Sequence, residues 1–159
     1  MTLGVGYDAE AGLLVAVRDE IETATQHEDL LKALLRVDAD AFQNAVVPIT
    51  ILITHPSARV PNAHWRKQYA DAAMRAKSPW MFFGLVTDSM AQRGVLTAIQ
   101  WLTRGTRGRN EAFSTFEAAR VAAERQRGVP LPLLLQLREQ ARHDLRQRVE
   151  FAARFHHAL

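Results

Sequence analysis

The chain has 159 residues, 48% of them apolar and 23% charged, the balance of one ordinary domain large enough to bury its own core. It contains no cysteine, which excludes a disulfide scaffold, a thiol nucleophile and a thiolate zinc site. The net charge of +3 is unevenly spread. Residues 1–50 carry three basic and nine acidic side chains, and residues 51–159 carry 17 and eight. A basic half suits nucleic acid or an acidic protein, unless the two halves face each other. No basic segment leads into an apolar stretch at the N-terminus, and no apolar run approaches the ~20 residues of a spanning helix. The expected location is therefore the cytoplasm, with no membrane contact.

Leu3, Val5 and Tyr7 alternate with small neighbours, Asp8–Gly12 supplies turn chemistry, and Leu13–Val17 is apolar throughout. This pattern predicts an antiparallel hairpin with the second strand more buried. Residues 24–37 place Leu30, Leu31, Leu34 and Leu35 on one helical face. Val46–Thr54 reads as a central strand with Pro48 near its start. A two-proline loop, His55–Pro61, precedes Asn62, a good N-cap for a helix running to about Lys77 with Trp65, Tyr69, Ala72, Ala73 and Ala76 on one face.

Trp80–Thr87 is a second central strand. Asp88 or Ser89 caps the next helix, whose inward stripe is expected to be Ala91, Val95, Ala98, Ile99 and Leu102. Met90, Leu96 and Trp101 fall beyond that stripe, so this helix is either deeply buried or partnered on its second face. Arg104–Asn110 reads as a loop and Glu111–Phe113 as a short edge strand. Ser114 and Glu117 have capping-box spacing before an alanine-rich helix that ends at Gly128 and Pro130. From Leu131 onward, Leu134, Leu137, Ala141, Leu145, Val149, Ala152, Phe155 and Leu159 recur every three or four residues, a last amphipathic helix. The short apolar runs joined by helical patterns predict an α/β fold: a mixed sheet of about four to five strands with crossover helices.

The hairpin around Asp8-Ala9-Glu10-Ala11-Gly12, the strand Trp80–Val86 leading into Asp88–Leu102, and the Phe113–Ala119 stretch (FSTFEAA) resemble the STAS-like fold of the anti-sigma-factor antagonists, in particular its stand-alone bacterial relatives. The resemblance covers residues 3–128. It implies a STAS-like domain over 1–129 and a C-terminal amphipathic helical extension over 130–159. It also implies a non-catalytic regulatory or scaffolding role through protein contacts. The classical members carry an Asp-x-Ser-Gly phosphoswitch. The equivalent stretch here, Ile53-Thr54-His55-Pro56-Ser57-Ala58-Arg59, lacks it, which leaves open whether Thr54 or Ser57 is ever phosphorylated.

No catalytic set, phosphate loop or nucleophile motif is present in the sequence. His156 and His157 are adjacent, so they diverge on a helix, and the other histidines lack ligand spacing. The expectation is therefore no enzyme, no metal and no cofactor. The amphipathic tail, through Arg142, Leu145, Val149 and Phe155, is the expected contact for a protein partner or a second copy, with Met90 and Trp101 added from the over-apolar helix. Arg104, Arg107 and Arg109 supply guanidiniums suited to an anion, an acidic protein surface or, as the weaker expectation, nucleic acid, since no aromatic residue interleaves them. His55, Asp88, Ser89 and Arg93 gather where parallel sheets bind small ligands, beyond the carboxyl ends of the strands, and form the alternative of an anion sensor.

Overall fold

The computed structural model describes residues 3–19, 23–102 and 108–156, with side chains through residue 150. The elements are β1 (Leu3–Asp8), β2 (Leu13–Arg18), α1 (Ala24–Gln43), β3 (Ile49–Thr54), α2 (Ala63–Met74), β4 (Phe82–Val86), α3 (Met90–Leu102), β5 (Arg109–Phe113), α4 (Phe116–Arg127) and α5 (Leu133–His156). The fold is α/β. One five-stranded mixed sheet has the order β1-β2-β3-β4-β5, with β1 antiparallel to β2 and every other pair parallel.

Sequential strand order with right-handed crossovers puts every crossover helix on the same face. The packing agrees: Leu30 of α1, Tyr69 of α2 and Leu96 of α3 lie on Ala16, Leu52 and Leu85. The alternate strand residues, Val15, Ile51, Phe82 and Val86 among them, face the other way onto α4 and α5. The two-residue period of a strand thus serves two cores.

Several boundaries differ from the sequence expectation. Strand β3 begins after Pro48, whose carbonyl accepts from Phe82 N at 3.0 Å. Trp80 lies outside β4 and is exposed. Strand β5 starts two residues earlier than expected, at Arg109. Thr115, not Ser114, caps α4, its side chain accepting from Ala118 N at 3.1 Å, while Glu117 pairs with Arg120.

Two helical stripes are rotated. The buried side of α1 is Gln26, His27, Leu30, Val37, Asp38 and Ala41, with Leu35 turned out. The buried residues of α3 are Gln92 and Leu96, while Ala91 and Leu102 are exposed. In both helices a polar side chain holds a core position because it finds partners on other elements.

Helix α5 does not begin as an appendage. Leu134, Leu137 and Ala141 share a core with Ile51 and Phe82. It crosses β1 so closely that a Cβ at Gly6 would strike the Leu137 carbonyl, and one at Gly4 the Ala141 carbonyl. Asp144 on α5 also accepts from Val5 N at 3.0 Å, which takes up an edge N–H of the sheet. The expected boundary at 129/130 therefore does not divide the core.

Candidate functional site

Parallel strands β2, β3 and β4 end in Arg18, Thr54 and, one residue on, Thr87, all buried. Apolar strands finish in polar residues here because their last carbonyls and the following loops need partners. Gln92, in the first turn of α3 and 3% exposed, supplies them. Its Oε1 accepts from the hydroxyls of Thr54 and Thr87. Its Nε2 donates to the carbonyls of His55 (3.1 Å) and Ala58 (2.8 Å). One amide thereby ties two strand ends, a helix and the 55–59 loop together, with each of its polar atoms engaged twice.

Arg18 is 5% exposed. Its Nε donates to Gln26 Oε1 and one terminal nitrogen to the Arg59 carbonyl, both at 2.9 Å. Beside it, His27 stacks on Trp65 with ring centroids 4.8 Å apart, and its Nδ1 lies 2.7 Å from the Tyr69 hydroxyl. Hydropathy carries no signal for this buried group, because Arg, Gln and His read as surface residues until the loop and α2 close over them.

Of the four residues expected at this edge, three are given structural work. Ser89 accepts from Gln92 N at 3.4 Å and its own N–H donates to Thr87 Oγ1 at 3.0 Å, so it caps α3. Arg93 donates to the Thr87 carbonyl and the Ser114 hydroxyl, both at 2.9 Å, and so ties α3 to β4 and the start of α4. His55 is exposed, and its Nδ1 receives the Ser57 N–H at 3.2 Å and lies 2.6 Å from the Ser57 hydroxyl, a local turn. Asp88 is exposed. Among the described residues no cluster of three or more histidines and carboxylates has metal-binding geometry.

Beneath this edge lies a cavity of about 140 Å³ between the sheet and α1, α2 and α3. Its cause is local. Opposite Thr50, Leu52 and Leu85, α2 and the turn after it present Tyr69 and the small side chains of Ala72, Ala73 and Ala76. Arg18, Thr54 and Gln92 line the carboxyl-end side. Asp38 lines the opposite side, its two oxygens accepting from the backbone N–H groups of Lys77 (2.7 Å) and Ser78 (2.9 Å). An apolar, mostly preformed concavity with a few polar groups in its lining is the ordinary form of a small-molecule site.

The expected contact residues separate. Met90 and Trp101 are 80% and 79% exposed on α3. Eleven residues apart, they sit within about 20° of each other around the helix and about 16 Å apart along it. Gly94, on the face between them, has open space around it. In the tail, Leu145 packs against Gly4 and is half-buried, Val149 is exposed, and Arg142 is exposed and bonded to Glu139 at 3.2 Å. Arg109 is on β5, its Nε 2.7 Å from Glu111. Arg104, Arg107 and the side chain of Phe155 lie outside the described residues. Among the described residues no helix is long and apolar enough to cross a membrane. Comparison of the chain with family models, curated proteins and solved structures returned no match.

Proposed function

We propose that this chain is a non-catalytic regulatory module, STAS-like in design, that works by binding another protein, with helix α3 as the contact face. The observation that carries the reading is the exposure of Met90 and Trp101 on one side of a single helix. Large apolar side chains in register on a helix face, with a glycine between them, are the form in which a partner's surface is met closely. Two further features support the reading. The polar residues at the strand ends are occupied as caps and ties rather than arranged as nucleophile, base and orienting group. The element order along the chain, strand-strand-helix-strand-helix-strand-helix-strand-helix, is the one on which the STAS-like reading rests.

In the tail, the first half is spent on the sheet, and Val149 is the exposed apolar residue among the side chains described beyond it. The test is a paired experiment with the wild-type chain and a Met90→Ser, Trp101→Ser double variant as bait in native extract. Each retained protein is then purified and mixed with each bait for gel filtration. A stoichiometric complex with the wild type alone supports the reading, as does a wild-type homodimer that the double variant abolishes. A complex formed equally well by both baits, or none by either, overturns it.

A further inference from the structure

We propose that the cavity under α2 binds a small uncharged molecule, an aromatic or aliphatic body of about six carbons, held chiefly by apolar contact. The inference is independent of the contact face on α3.

Size sets the first limit. A cavity of about 150 Å³ lined by aliphatic and aromatic side chains stays dry and takes up benzene, so the 140 Å³ here admits a ring or a chain of that bulk. Native interiors leave few voids larger than a water molecule. An apolar hollow of this size forgoes dispersion contacts that an occupant restores. The lining sets the second limit. Leu52, Leu85 and Phe83 come from the sheet, Ile99 from α3, and Ala72 and Ala73 from α2. The two charged side chains that line the cavity are already engaged by the protein. Asp38 accepts from the N–H groups of Lys77 and Ser78. Arg18 donates to Gln26 and to the Arg59 carbonyl. A charged ligand would therefore give up its hydration and gain no counter-charge. An uncharged apolar one loses only unfavourable contact with water. Thr50, 4% exposed, sets a hydroxyl in the wall, which accommodates a single uncharged polar atom. Access follows from Leu35, which lines the cavity and is 47% exposed, so the cavity meets solvent beside α1.

Ligand charge and bulk separate this site from adventitious apolar binding. The full chain is titrated calorimetrically at neutral pH with benzene, toluene, benzoate, benzylammonium and 1-adamantanol, and melted in the presence of each. Benzene and toluene are expected to bind and to raise the melting temperature, with toluene up to about fourfold tighter for its added carbon. Benzoate and benzylammonium should bind about tenfold or more weakly than the hydrocarbons, because each must shed water from its charge. The adamantanol cage, rigid and bulkier than the cavity, should not bind. Ala73→Leu fills the cavity without adding a polar atom; it should abolish hydrocarbon binding while the melting temperature holds or rises. Should Ala73→Leu not fold, the charge and bulk comparisons decide the matter. No binding of either hydrocarbon, an ion that binds as tightly as they do, binding of the cage, or unchanged affinity in folded Ala73→Leu each overturns the proposal.

Discussion

The side-chain amide of Gln92 donates to the carbonyl of Ala58 at 2.8 Å, across 34 positions of sequence, and its oxygen receives the hydroxyls of Thr54 and Thr87. That one residue joins β3, β4, α3 and the 55–59 loop at the carboxyl edge of the sheet. Leucine at 92 would take from two buried hydroxyls and two carbonyls the partner that Gln92 supplies, although the His55 carbonyl also accepts from Ala58 N at 3.0 Å and Thr54 Oγ1 also reaches the Val86 carbonyl at 3.5 Å. Gln92→Leu is expected to destabilise by about 3 kcal/mol, read from urea unfolding. Gln92→Glu should be as harmful, because a carboxylate cannot donate to the His55 and Ala58 carbonyls. A loss under about 1 kcal/mol in both would show that the network contributes little.

Two glycines predict opposite signs. At Gly6 the backbone of α5 occupies the place of a Cβ, so Gly6→Ala must push the helix off the sheet and should cost about 2 kcal/mol or more. At Gly94, inside α3, nothing lies within 4 Å of a Cβ. Gly94→Ala should therefore stabilise by about 1 kcal/mol through helix propensity. Thermal melts of the two variants beside wild type check both signs at once.

Removal of residues 130–159 deletes Leu134, Leu137 and Ala141, each at most 4% exposed, from the core they share with Phe82. The truncated chain is expected to lose cooperative unfolding instead of leaving an intact domain. A sharp thermal transition and wild-type near-ultraviolet circular dichroism in chain 1–129 would contradict the packing described here.

The Tyr7 hydroxyl donates to Asp40. Burial first, then the bond to Asp40 and the charge of that carboxylate, push its pKa up from 10.0 to about 12, with Arg36 pulling the other way. Because the folded-state value is raised, the neutral phenol favours the folded chain. Its contribution is fully present below pH 10 and is lost as pH rises toward about 12. The stability advantage of wild type over Tyr7→Phe should thus shrink across that window. An advantage that stays constant from neutral pH through the window would rule out the coupling.

Much of the architecture is legible in the one-dimensional pattern. Apolar runs too short to span a membrane, punctuated by turn residues and separated by helical periodicity, specify parallel strands with crossovers, because both strand faces must be covered. Asn62 caps α2, as its position before a helical stripe implies. The positions that decide the interior are different in kind. Gln26, His27, Asp38 and Gln92 look like surface residues and are buried, since their partners come from other elements. The glycines of β1 read only as small neighbours within a strand and are the floor for a helix that Asp144 ties to Val5 across 139 positions. The cavity has no sequence mark at all: three alanines on one helical stripe read as good packing until Thr50 is found opposite them. Local periodicity, which depends only on neighbours a few residues away, determines the elements and their order. Tertiary structure alone determines which polar groups are satisfied, how near two backbones approach and where side chains leave space, because each is a relation between segments that meet only when the chain is folded.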